Sequence, residues 1–307
     1  MGVGHSHDHA DHVDDALTTS AAGIRAVKIS LLALAATAIA QLAVVALSGS
    51  VALFADTVHN FSDALTAVPP WIAFALGRRA ATRRYPYGLG RAEDLAGLFV
   101  VAVIAASALV AAVQAVHRLI EPVSLNHLSL VAAAGVVGFV GNELVAIYRI
   151  RVGTRIGSAA LRADGLHARV DGLTSLAVVL GAGGVAAGFP AADPIVGLII
   201  AVVIAGVLAV AARDVFRRLL DGVDPGLIDT ACDVLARQDG VRGVRRVRMR
   251  WLGHRLVADA ELDIDPQQSL ADAHRTAHEA EHALIHAVPK LAEATIHAYP
   301  AHLAVSS

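Results

Sequence analysis

Residues 29–47, 95–116 and 194–212 contain no charged side chain. Each is close to the roughly 20 apolar residues that an α-helix needs to cross about 30 Å of hydrocarbon. A segment with no water to bond its backbone must satisfy its own N–H and C=O groups, so in a bilayer these stretches must be helical. Residues 128–148 also qualify, with Asn142 and Glu143 inside, and two further stretches, about 50–76 and 158–187, complete a set of six. Those last two are the only ones with several ionisable groups near their centres. The chain is 56% hydrophobic and 17% charged, as a membrane protein would be. A net charge of −2 gives no general reason to expect nucleic-acid binding, and no motif for it is present. The single cysteine, Cys232, can form neither an internal disulfide nor a thiolate cluster. Residues 1–20 are polar, acidic and histidine-rich, so no cleaved secretory leader is expected there.

Arginines set the expected orientation. Arg78, Arg79, Arg83, Arg84 and Arg91 fall between spans 2 and 3, and Arg149, Arg151, Arg155 and Arg162 around the 4–5 connection. The 1–2 and 5–6 turns carry none, and the 3–4 turn only Arg118. The positive-inside bias then places both termini in the cytoplasm, in what is expected to be a bacterial cytoplasmic membrane.

One motif occurs twice. Residues 55–66 read ADTVHNFSDALT and residues 163–174 read ADGLHARVDGLT. His59 and Asp63, like His167 and Asp171, are four residues apart, which stacks the two side chains of each pair on one helix face. With six spans the two copies run antiparallel near the bilayer midplane, a layout of transporters built from inverted halves. Two imidazoles and two carboxylates form a tetrahedral set suited to Zn²⁺. Mere helix packing does not need them, because an Asp at mid-membrane costs about 2.5–3.5 kcal/mol while Ala and Gly pack without that cost. Asp56 and Asp164 precede each histidine by three residues and are candidates to orient the imidazoles or stage ions; Asn60 is a candidate pathway residue. A structural cap or pairing role stays open for both acids.

These residues resemble the cation diffusion facilitator family. The similarity extends to YPYGLGRAEDLAGLF (85–99), GNE (141–143) and DPIVGL (193–198), and covers nearly the whole chain. It implies a homodimeric, proton-coupled Zn²⁺ exporter with His59, Asp63, His167 and Asp171 as transport site. Metal binding needs neutral His and ionised Asp, so protons compete for the same atoms and alternating access can couple the two flows. A thiolate-free N₂O₂ site favours Zn²⁺ over Cu⁺, Mg²⁺ and Ca²⁺, with Co²⁺ and Cd²⁺ as secondary cargo. Two rival readings are an intramembrane zinc hydrolase and a non-transporting metal sensor. No H-E-x-x-H is present, four protein ligands close the metal to water, and a sensor needs no ligands at mid-membrane. Glu143 is read as an interhelical hydrogen-bonding group or a proton relay, and Arg91 with Glu93 as a gate pair or as solvated interfacial charges.

The chain divides into an unstructured tail (1–24) with His5, His7, His9 and His12 as weak metal binders, a six-helix membrane domain (25–212) and a cytoplasmic domain (213–307). The last reads as helix 226–238, strands 244–251 and 255–264, helix 269–287 and strand 292–299. In that order it is an α+β, ferredoxin-like domain, with Leu256, Ala258, Ala260, Leu262 and Ile264 on its buried face. The arginines of VRGVRRVRMR (241–250) alternate along a strand and are candidates for a dimer contact or lipid headgroups. His274, His278, His282 and His286 recur every four residues; neighbours can share an ion, but the stripe drifts and cannot converge on one. The resemblance marks His274 and His297 as possible regulatory metal ligands. Arg245, Ala260 and Tyr299 stand where relatives supply further ligands, which weakens that site.

Overall fold

The computed structural model describes residues 7–48, 65–120, 128–189 and 191–301. The chain forms two compact units, one spanning Thr18–Phe216 and the other containing Arg217–Ser307.

The first unit is all helical, made of α1 (His7–Ser48) from Thr18 onward, a 3₁₀ turn (Leu65–Ala67) leading into α2 (Val68–Gly77), α3 (Ala92–Ile120), α4 (Leu128–Ile156), α5 (Ala159–Ala186) and α6 (Ala192–Leu219) as far as Phe216. Five of these contain segments long and apolar enough to cross a bilayer: Thr18–Ala40, Ala92–Ile120, Val131–Ile156, Ala159–Ala186 and Ala192–Leu219. Of the expected second span, only residues 65–77 are described. The tail differs from expectation, because the backbone is helical from His7. Ala16, Leu17, Ala21 and Ala22 are strong helix formers that carry the first span's helix back towards the chain start. His5 lies outside the described residues.

The tightest packing in this unit is the antiparallel α4–α5 hairpin. Gly157, at φ +78°, closes α4 in the left-handed region that suits glycine. The Ser158 N–H then donates to the Gly153 carbonyl (2.9 Å) and the Gly157 N–H to that of Thr154 (3.3 Å), a Schellman-type stop. Ser158 immediately caps α5, its Oγ accepting from the Leu161 N–H. From this reversal the helices zip together along glycines. A Cβ on Gly153 would meet Arg162, one on Gly165 would meet Arg149 and Ile150, one on Gly172 Asn142, and one on Gly135 Ser175 and Val179. Lipid offers no hydrophobic drive for helices to associate, so close backbone approach at small residues supplies the attraction. Elsewhere Leu34 of α1 packs with Val145, Ala146 and Ala168, and Phe74 of α2 sits over Gly23.

The second unit runs α7 (Pro225–Ala236), β1 (Val241–Leu252), β2 (Arg255–Ile264), α8 (Leu270–Ala287) and β3 (Leu291–Pro300). The strands lie in the order β1-β2-β3, with β1–β2 antiparallel and β2–β3 parallel through the α8 crossover. This is the expected α-β-β-α-β order. The alternation in β2 holds residue by residue: Leu256, Ala258, Ala260, Leu262 and Ile264 are all buried. Leu256, Ala258, Ala260 and Leu262 share one core cluster with Leu235 of α7 and Leu284 of α8, and full burial of each such leucine contributes about 1.5–3 kcal/mol. On the other face the arginine run meets its counter-charges within the sheet. Arg242 pairs with Asp265, Arg245 with Asp263 and Arg246 with Glu261. The antiparallel register places Arg245 and Arg246 beside β2 acids, and Arg242 beside Asp265 just past the end of β2, so these three arginines are already engaged and are not bare cations awaiting lipid.

The glycine seam predicts a contrast between two alanine substitutions. A Cβ on Gly165 lies 3.0 Å from the Ile150 backbone nitrogen, which cannot step aside, whereas one on Gly183 meets nothing within 4 Å. Gly165→Ala should cost about 1–3 kcal/mol and lower the thermal midpoint of the detergent-solubilised chain. Gly183→Ala should leave it unchanged or raised.

Candidate metal centre

The second copy of the repeat lies in the first half of α5, with Asp171 near the helix middle. His167 and Asp171 are 1% and 8% exposed, and His167 Nδ1 lies 3.7 Å from Asp171 Oδ1. That separation places the two on one face, close enough to share a small cation. His59 and Asp63, with Asp56 and Asn60, lie outside the described residues.

Asp164, one turn before His167, is fully buried, and its carboxylate is answered by Arg149 of α4. Arg149 Nη1 lies 3.0 Å from Asp164 Oδ2, and the arginine is itself 1% exposed. This corrects the sequence reading of Arg149 as a loop cation. It sits inside α4, two turns before the helix ends, on the face that carries Asn142, Val145 and Ala146, all buried. That spacing, 142-145-146-149, is the signal by which the sequence could have placed it in the core. Its charge therefore does not count towards the loop asymmetry.

A second ion pair joins the same two helices. Arg169 donates from Nη2 (2.6 Å) and Nε (3.2 Å) to the two carboxylate oxygens of Glu143, a bidentate contact. Glu143 is thus held in an interhelical salt bridge. Arg169 lies within the repeated motif but has no counterpart charge in the first copy, where Phe61 takes its place. The pairs nest, 149 with 164 inside 143 with 169, as an antiparallel hairpin requires. Asp164 and Arg169 project from α5 about 140° apart, so the two pairs flank the glycine seam.

Other polar groups tie the helix ends. Glu93, buried at the start of α3, accepts from the Ser158 Oγ at 3.0 Å, linking α3 to the turn that starts α5. Arg162 pairs with Asp214 of α6 at 2.8 Å, and Arg118 with Asp193 at the start of α6 at 2.9 Å. In the second unit, Arg245 lies over the Tyr299 ring, whose centroid is 6.5 Å from that of His297. Among the described residues no group of three or more His, Cys, Asp and Glu side chains is placed to hold a metal ion. His274 and His297 therefore do not join such a group there.

Removing one partner of a buried pair strands the other charge. Arg149→Ala should cost about 3–5 kcal/mol of stability. The double variant Arg149→Ala/Asp164→Ala should recover much of that loss, a coupling that thermal or denaturant unfolding in detergent would read. Additive losses would show that the pair is not an energetic unit.

Comparison with known proteins supplies the family. Residues 27–220 match the cation efflux transmembrane domain, and residues 223–301 match the cation efflux protein cytoplasmic domain. A probable cation efflux system protein of Mycobacterium tuberculosis is 68% identical over 97% of this chain and 90% of its own length. Metal tolerance protein 2 of Oryza sativa subsp. japonica is 27% identical, covering 82% of this chain and 72% of the relative. The magnetosome protein MamB of Magnetospirillum gryphiswaldense is also 27% identical, covering 85% and 88%. With its multi-pass helical unit and its α+β domain both matched, this chain belongs to the cation diffusion facilitator family and is a membrane cation efflux transporter rather than an enzyme.

Proposed function

We propose that this transporter exports Zn²⁺ in exchange for protons, through a tetrahedral site made by His59 and Asp63 from the second span and His167 and Asp171 from α5. The observation that carries the reading is the repeated A-D-x-x-H-x-x-x-D-x-L-T motif, whose described copy holds His167 and Asp171 buried side by side. Two carboxylates balance the charge of a divalent ion, and two imidazoles favour Zn²⁺ over the hard ions Mg²⁺ and Ca²⁺. Co²⁺ and Cd²⁺ fit the same donors as secondary cargo.

The Arg149–Asp164 pair supports that charge balance. With its carboxylate neutralised by a guanidinium, Asp164 adds no net negative charge beside the site. Metal and protons then compete for the imidazole nitrogens and the Asp oxygens alone. A site alternately open to either side loads Zn²⁺ where protons are scarce and yields it where they are plentiful. In this reading both termini face the cytoplasm, and the chain works as a homodimer joined in part through its second unit. Arg78, Arg79, Arg83, Arg84, Arg151 and Arg155 still supply the loop-side charge once Arg149 is set aside.

Zinc flux into proteoliposomes under an imposed pH gradient tests this proposal. The unaltered chain should show gradient-dependent Zn²⁺ uptake and none for Mg²⁺. Asp171→Asn should abolish the uptake while leaving the thermal midpoint of the purified protein near its original value. Equal flux in both proteins would overturn the site assignment, and flux indifferent to the gradient would overturn the coupling.

A further inference from the structure

α8 carries four histidines at four-residue spacing: His274, His278, His282 and His286. The structure treats neighbouring members differently. His274 and His278 stack with ring centroids 6.4 Å apart, nearly parallel. His278 and His282 instead meet nearly edge to face, with ring centroids 4.4 Å apart and their Nε2 atoms 3.1 Å apart.

That nitrogen separation suits chelation. With metal–nitrogen bonds of about 2.0–2.1 Å, nitrogens 3.1 Å apart subtend about 95–102° at the ion. Such an angle lies between the square-planar and tetrahedral values that Cu²⁺, Ni²⁺ and Zn²⁺ adopt. Glu281 adds a second observation. Its Oε2 lies 3.5 Å from Nδ1 of His278, the side from which a carboxylate holds the Nδ1 proton and leaves Nε2 as the ligand. Glu279 adds a further negative charge on the same helix. His278 is also half exposed, which leaves the remaining coordination positions open to water.

We propose that His278 and His282 form a two-nitrogen chelate on the second unit for a borderline divalent transition-metal ion, with Glu281 positioning the His278 ring. The site is separate from the residues proposed for transport, and it includes neither His274 nor His297.

The test uses Cu²⁺ carried by nitrilotriacetate. This complex offers only two adjacent coordination positions, so it selects a paired donor and cannot enter a buried four-ligand site. The full-length chain in detergent micelles, carrying His5→Gln, His7→Gln, His9→Gln and His12→Gln throughout so that the tail cannot bind the probe, should hold one equivalent with two histidine nitrogens bound when titrated and read by electron paramagnetic resonance. His278→Gln and His282→Gln should each abolish that signal, while His274→Gln and His286→Gln should leave it in place. Glu281→Gln should weaken binding by about tenfold or more. These are surface positions on a helix, and circular dichroism should show every variant folded. A signal that persists in both His278→Gln and His282→Gln would overturn the assignment, as would loss caused by His274→Gln or His286→Gln. So would absence of the two-nitrogen signal in the chain altered only in its tail, which would mean that the two rings merely share a proton.

Discussion

A charge inside a helix that crosses a bilayer must find a counter-charge, and the fully buried Asp164 finds it in Arg149. Much of the helical unit is arranged so that this can happen. The two residues meet only because α4 and α5 reverse over Gly157 and Ser158 and then approach closely along Gly153, Gly165, Gly172 and Gly135. Larger residues along that seam would hold the backbones apart and lengthen the ion pair. Glu143 and Arg169 close the other flank of the same hairpin. A pair of helices stapled on both sides of a glycine seam is suited to move as one body.

The pairing also separates two roles that the repeat alone leaves merged. Each copy of the motif offers two acids, Asp56 and Asp63 or Asp164 and Asp171. In α5 the first acid is engaged by an arginine from α4, while the second lies beside His167. The two carboxylates of one motif therefore have different neighbours: Asp164 faces the Arg149 guanidinium, and Asp171 lies beside the His167 imidazole, the pair proposed above for transport.

The second unit depends on a simpler rule. One face of β2 is apolar and packs beneath α7 and α8, and the opposite face places its acids against the arginines of β1. Strand alternation alone produces both faces, because successive side chains point to opposite sides of a sheet. α8 then turns its alanine and leucine stripe inward, with Ala280 and Leu284 buried, and leaves its histidines on the flank.

The sequence by itself determined what local periodicity can determine. Uninterrupted apolar length marked the spans, four-residue spacing placed His167 and Asp171 on one face, and period-two alternation marked the buried side of β2 down to Ile264. All of these are properties of a single helix or strand, legible without knowing its neighbours. What only the tertiary structure decided were the partners. Arg149 read as one more cation near a loop until α4 proved long enough to bury it opposite Asp164. Arg169 carries no local sign of its partner because its acid lies in another helix, and neither do Arg245 and Arg246 of β1, whose acids come from the adjacent strand. The spacing of His278 and His282 was legible, but their nitrogen separation depends on side-chain rotamers that spacing does not specify. A charge's partner is set by how elements pack, and packing distance depends on both surfaces at once, which no single stretch of sequence encodes.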